Sequence, residues 1–165
     1  MRVVVADTGP LNYLVLIGEI DVLPSLFETV YMPAVVRAEL RHREALPAVR
    51  TWAARLPRWL EVRAVTAAGD DPAWRALDAG ERAALALARV LDADLVLMDD
   101  RAGVEVVLQQ RFAAIGTLGV LDLAARRGLI ELRPAIDRHK ATNFRYRPEV
   151  LDAVLAQHTI RGDGR

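Results

Sequence analysis

The stretch Val3-Val4-Val5-Ala6-Asp7-Thr8-Gly9-Pro10 constrains the fold more than any other part of the chain. Three β-branched residues with no polar interruption predict a strand buried on both faces, as in a parallel sheet covered by helices. The run ends in an acid and a turn. An apolar segment at helical spacing follows, Leu11, Leu14, Val15 and Ile17. In open α/β sheets, ligands bind just outside the carboxyl ends of the strands. Strand direction alone therefore places Asp7 at the functional edge.

The rest of the chain repeats this alternation. Thr8 is the expected N-cap of the first helix, with Pro10 in its first turn and Gly18 at its end. Helices are expected over Ile20–Phe27, from Ala34 to about Arg41 with Glu39 on it, and over Leu46–Leu56. Thr29–Met32 reads as a strand, and Trp59–Val65 alternates as an edge strand does. A loop is expected over Ala67–Pro72. Asp78-Ala79-Gly80-Glu81 opens a helix to about Leu91 that is apolar nearly all round, hence buried. Leu95–Met98 is a buried strand ending at Asp99-Asp100. Then come a helix over Arg101–Arg111, a strand over Phe112–Ile115 and a helix over Leu118–Arg127, with Gly128 as its C′ residue. This order predicts an α/β fold: a parallel sheet of four to five strands sandwiched by helices, in three α/β/α layers.

Beyond Leu132 the texture turns basic, with Arg133, Arg138, His139, Lys140, Arg145 and Arg147 against Asp137 alone. A final amphipathic helix is expected from Pro148 to about His158, and a frayed tail over Arg161–Arg165. At 165 residues, the whole of 1–165 is expected to be a single domain. Hydrophobic residues make up 53% of the chain and mean hydropathy is +0.15, which excludes a disordered chain. No apolar run approaches the roughly 18–20 residues that span a bilayer. With no apolar leader and no cysteine, the expected location is cytoplasmic. The net charge is zero, so any contact with nucleic acid must come from local patches.

Parallel strands bring Asp7 and the Asp99-Asp100 pair to the same edge. Glu81 lies in the first turn of the helix leading into that second strand, and Glu39 on the helix after Thr29–Met32. Two like charges about 4 Å apart repel by roughly 4 kcal/mol at an effective dielectric near 20. Such a cluster persists when a cation offsets the repulsion or when one acid keeps its proton. Oxygen ligands without His or Cys point to a hard ion, Mg²⁺ or Mn²⁺. That chemistry suits phosphodiester hydrolysis by an activated water attacking in line. Each residue also has a local role open to it. Asp7 can begin an Asx turn, and Asp78 with Glu81 matches a capping box. Asp100 and Thr117 can each cap the helix that follows, and Glu39 can simply be solvated.

Five motifs in order give the chain a family resemblance. They are Val5-Ala6-Asp7-Thr8-Gly9-Pro10-Leu11; Pro33-Ala34-Val35-Val36-Arg37-Ala38-Glu39-Leu40; Leu77-Asp78-Ala79-Gly80-Glu81-Arg82-Ala83-Ala84; Leu97-Met98-Asp99-Asp100-Arg101-Ala102; and Ile115-Gly116-Thr117-Leu118-Gly119-Val120-Leu121. In these the chain resembles the PIN-domain nucleases, more narrowly the small VapC-like toxin ribonucleases and a prokaryotic subfamily of predicted nucleic acid-binding proteins. The resemblance implies a divalent-metal-dependent endoribonuclease, homodimers and inhibition by a small cognate antitoxin. It implies Asp7, Glu39 and Asp100 as metal-site acids, with Asp99 beside them and Glu81 as a further catalytic acid. Thr8 and Thr117 would orient water or phosphate, and Arg101 would meet the substrate. The chain departs from the pattern after Asp100. Many PIN nucleases carry another acid shortly downstream, where this chain has Ala102, Gly103 and Val104, with Glu105 the nearest acid.

Two rivals remain open. One is a depleted site of the same fold, serving as an RNA- or protein-binding module. The other is a phosphotransfer domain of the receiver or dehalogenase kind. The latter lacks the second Asp two residues after the first, where Gly9 stands, and has Lys140 far past the last strand. The basic run Arg133–Arg147 is a candidate RNA-tracking strip.

Overall fold

β1 (Val4–Ala6) is buried on both faces, as its valines require. It sits in the middle of a five-stranded, all-parallel sheet of order β3-β2-β1-β4-β5, completed by β2 (Val30–Pro33), β3 (Leu60–Arg63), β4 (Leu95–Leu97) and β5 (Ala113–Ile115). The computed structural model describes residues 2–66 and 71–162. Of the loop expected over 67–72, residues 67–70 lie outside that range, as do residues 163–165 of the expected tail.

Side-chain alternation divides the core in two. Val4, Ala6 and Leu97 pack with buried residues of α1 (Thr8–Leu16), α2 (Val22–Phe27), α3 (Ala34–Leu40), α4 (Pro47–Ala54) and α7 (Thr117–Arg126). Val5, Val96 and Met98 pack against α5 (Ala79–Leu91) and α6 (Arg101–Gln109) on the opposite face. These are the α/β/α layers expected from the alternation of strands and helices. Among the described residues, no helix is long and apolar enough to cross a membrane.

The topology contains a switch point. The chain leaves β1 for β2 and β3 on one side, then returns to β4 and β5 on the other. Ala6 is in register with Leu97, and Leu97 with Ile115. The Asp7 N–H continues the ladder by donating to Leu97 O at 2.9 Å, and the Met98 N–H donates to Ile115 O at 3.0 Å. Asp7, Asp99-Asp100 and Thr117 therefore emerge side by side at the crevice where ligands bind in open α/β sheets.

Three local expectations need correction. Thr8 and Thr117 are the first helical residues rather than N-caps; Asp7 and Gly116 hold the cap positions in extended conformation. Both hydroxyls are engaged by carboxylates instead, as described below. The basic segment contains an unexpected helix, α8 (Leu132–Lys140), built on Leu132, Ala135, Ile136 and buried His139. Four apolar-face positions among many charges gave too faint a period to read. Finally, α9 (Pro148–Gly162) includes residues 161 and 162, which were expected to fray.

Leu97 is fully buried between α-layers, whereas Leu108 on α6 is 55% exposed. Leu97→Ala should cost about 2–5 kcal/mol of unfolding free energy. Leu108→Ala should stay within about 0.5 kcal/mol. Urea denaturation with a common slope measures both.

Candidate active site

Carboxylates from four segments line one cavity of about 500 Å³ at the switch point: Asp7, Glu39, Asp78, Glu81, Asp99 and Asp100. Asp7 is its floor, only 7% exposed, and its Oδ1 is buried without a hydrogen-bond partner. Burial pushes the Asp7 carboxyl up to about 7. The Thr8 backbone N–H offsets part of this, and repulsion from Asp78, Glu81 and Glu39 adds to it. Glu81 is also buried and also pushed up to about 7, by burial first and then by Asp78 and Asp100. Burial, with repulsion from the neighbouring acids behind it, thus raises both carboxyls towards neutrality.

Each remaining residue is positioned by a specific contact. Glu39 lies on α3 and accepts a hydrogen bond from the Thr8 hydroxyl, so it is not merely solvated. A Cβ at Gly80 would come within 2.8 Å of both Glu39 carboxylate oxygens, so the first turn of α5 cradles that side chain only because residue 80 has none. The capping box expected at Asp78 and Glu81 is present: Glu81 N–H donates to Asp78 Oδ1 at 2.8 Å, and Asp78 N–H to Glu81 Oε2 at 2.9 Å. The box does not exclude a role in the cavity; it fixes both carboxylates at its wall. Asp100 caps α6, accepting from Gly103 N–H at 3.2 Å, and stays exposed at the rim.

Asp99 is engaged on both oxygens. Thr117 N–H donates to one at 2.6 Å and the Thr117 hydroxyl to the other at 2.7 Å. Burial raises the Asp99 carboxyl and these two bonds lower it. A Cβ at Gly116 would meet Asp99 Oδ1 at 2.5 Å, so the start of α7 closes directly over this carboxylate. Thr117 is fully buried behind Asp99 and does not line the cavity. Arg101 also stands outside it, on the rim of an adjoining groove, where it pairs with Glu105 at 3.4 Å.

Downstream of Asp100, where the family pattern often has an acid, a Cβ at Gly103 would overlap Met98 Sδ and approach Glu81 Cδ to 3.4 Å, so the first turn of α6 packs close against both side chains. Sequence reasoning left six lining residues out of the site: Asp78, read only as a cap, and Gly9, Tyr13, Phe144, Asn143 and Arg145. The alternation of Asn143, Arg145 and Arg147 with Phe144 and Tyr146 was the available signal for the last two.

The donor set suits a hard divalent ion. All the candidate ligands are oxygens, and the unpartnered buried Asp7 Oδ1 has no protein donor to satisfy it. Among the described residues, no three His, Asp or Glu side chains already converge as a metal-ligand group. Mg²⁺ commonly takes only one or two carboxylates, completing its shell with water and phosphate oxygens.

The sequence profile of one family, described as a PIN domain, matches residues 3–159. The chain belongs to the PIN-domain family. The match runs from the first strand into α9 and takes in every acid of the cavity. Comparison with curated proteins and with solved structures finds no match. PIN domains are generally nucleases and typically use divalent metals, which agrees with an acid-lined crevice at the carboxyl edge of this sheet.

The raised carboxyl of Asp7 makes a signed prediction about stability. Its ordinary value is 3.8 and its folded value about 7, so the folded state holds the extra proton between them. That contribution is complete below about pH 4 and is lost as pH rises through 7. Asp7→Asn, measured without divalent ions, should stabilise the fold at pH 8 by up to about 4 kcal/mol relative to its effect at pH 4. His139 is pushed down to about 4 by burial and acts with the opposite sign, but it cancels in this difference between variants.

Proposed function

We propose that this PIN-domain protein is a Mg²⁺- or Mn²⁺-dependent endoribonuclease. The observation that carries the reading is the buried Asp7 carboxylate at the switch point, its Oδ1 unpartnered and its charge opposed by Asp78, Glu81 and Glu39. Asp7, Glu39 and Asp100 would hold the ion. When bound, a divalent cation supplies Lewis-acid stabilisation of the phosphoryl charge and makes hydroxide available at neutral pH.

The chain's own residues do the rest. Thr8 fixes Glu39 by its hydroxyl, and the capping box fixes Asp78 and Glu81. Glu81, pushed up to about 7, is poised to hold or release a proton at the reacting oxygens near neutrality. Asp99 acts as a positioning residue. It ties the end of β4 to the start of α7 through Thr117, and so sets the direction of Asp100. Arg145 at the cavity mouth supplies positive charge for the phosphate.

The choice of RNA rests on the resemblance to VapC-like ribonucleases. So do the wider expectations of a toxin role, a small cognate antitoxin, a homodimer and a cytoplasmic location. A short reading frame beside the gene, whose product abolishes cleavage and copurifies with this chain, would support the toxin role.

The second reading is a binding module of the same fold with a depleted site. It is favoured by the commitments of Asp99 to Thr117 and of Asp100 to the α6 cap. Cleavage of labelled RNA separates the two. With Mg²⁺ or Mn²⁺ the unmodified protein should cut. Asp7→Asn and Asp100→Asn should each slow cutting at least about 10²-fold. Unchanged cleavage by both variants would sink the assignment.

Gly80→Ala makes a finer test, since it pushes on the Glu39 carboxylate while leaving the fold's apolar core untouched. It should lower cleavage about 10-fold or more with little change in the unfolding midpoint, on the scale of losses when the orientation of a metal ligand is disturbed.

A further inference from the structure

The segment joining α8 to α9, residues 141–147, is a fixed strap. The Thr142 hydroxyl donates to His139 O at 2.6 Å, and Phe144 N–H donates to the Thr142 oxygen at 3.2 Å. The Tyr13 hydroxyl donates to Asn143 Oδ1 at 3.0 Å, and the Tyr146 hydroxyl bonds His139 Nδ1. Phe144 packs edge-on against Tyr13, with centroids 4.9 Å apart, and against Tyr146 at 5.1 Å. The inward residues Thr142, Phe144 and Tyr146 are half-buried, whereas Asn143, Arg145 and Arg147 are exposed.

This strap forms one wall of a groove of about 550 Å³, which Arg101 also lines. The groove is continuous with the acid cavity: both are bordered by Asp99, Asp100, Phe144 and Arg145. Among the described residues, neither Arg145 nor Arg147 has an ion-pair or side-chain hydrogen-bond partner. Elsewhere in the basic run, Arg138 is tied to Glu19, His139 is buried, and Arg133 and Lys140 stand exposed on α8 away from the groove. Arg145 and Arg147 are the cations of this run that line the groove, where they stand beside Arg101 and the acids Asp99, Asp100 and Glu105.

We propose that the groove is a subsite for single-stranded RNA, holding the nucleotide next to the scissile phosphate. Arg145 and Arg147 meet backbone phosphates, and the Phe144–Tyr146 wall receives an unpaired base. Cations beside aromatic rings along a backbone-tracking groove are the arrangement that binds single strands. A volume of this size is enough for a small ligand such as one nucleotide. The proposal rests on the nuclease reading for its substrate, but its test does not require cleavage.

The probe is a fluorescein-labelled single-stranded oligoribonucleotide of about eight nucleotides, within the usual range of single-strand sites. Anisotropy is read in EDTA over a salt series, with the RNA checked for integrity. Arg145→Gln/Arg147→Gln should weaken binding about 10-fold or more and lower the salt slope by about 1.4, the value for two phosphate contacts on a single strand. Arg111→Gln/Arg127→Gln removes equal charge at the opposite ends of α6 and α7. It should change Kd by less than about 2-fold.

A duplex of the same sequence should bind more weakly than the single strand. Unchanged Kd in the strap variant, or equal losses in both double variants, overturns the proposal. Equal affinity for a polyglutamate peptide also overturns it, in favour of an acidic protein segment. Strap-dependent RNA binding without metal-dependent cleavage would sink the nuclease reading and leave the subsite standing. Cleavage with strap-independent binding would do the reverse.

Discussion

A carboxylate buried among other carboxylates is the constraint on which the site depends. Asp7 ends a strand that cannot shift, because Val4 and Val5 are paired on both sides, Ala6 is paired with Leu97, and all three are sealed on both faces. The strand therefore delivers Asp7 into a position where its charge is opposed by desolvation and by three neighbours. Nothing in the local chain requires an acid there: the adjoining helix starts without a side-chain bond from Asp7. A turn residue chosen for the turn alone would be an Asn or Ser with its polar atom satisfied. The arrangement makes physical sense as a site that is completed from outside.

Glycine makes the crowding possible. At Gly80 and Gly116, the nearest atoms to an added Cβ would be carboxylate oxygens of Glu39 and Asp99. Neither position has an unusual backbone angle, so conformation is not the reason for glycine there. The backbone comes so close to a carboxylate of the site that a methyl group would displace it. Helices α5 and α7 thus act as walls against which the acids are set. Precision comes from packing rather than from ion pairs: Asp7, Glu39, Asp78, Glu81, Asp99 and Asp100 have no salt bridge among the described residues.

The sheet and the acids were legible because both follow from strand direction. An apolar run too short for a helix, followed by an acid, is a local pattern, and parallel pairing converts it into a shared edge. Helix rotation is not local, so Glu39 was placed less firmly than Asp7; its contact with Thr8 depends on how α3 leans on α1 and α5. Asp78 was hidden by its own success as a cap, since a capping box accounts for the residue completely until the wall it stands in is known. The strap was hidden because composition spoke first. Five cations and a histidine between 133 and 147 suggested a uniform surface, and the alternation inside 142–147, which separates rings from arginines, was masked by that average.

A net charge of zero then takes on meaning. A nucleic-acid enzyme with a strongly basic surface binds everywhere and loses selectivity to its own field. Here the charges are interleaved along one continuous surface. Six acids line the crevice; two of them, Asp99 and Asp100, also border the groove, where Glu105 stands beside Arg101, Arg145 and Arg147. Under the proposed function a polyanion would meet the crevice acids as repulsion until a divalent cation offset them, and the three arginines would supply attraction beside that point. The acids and the cations would then be interdependent: the ion would lower the barrier in the crevice, and the groove would hold the strand next to it.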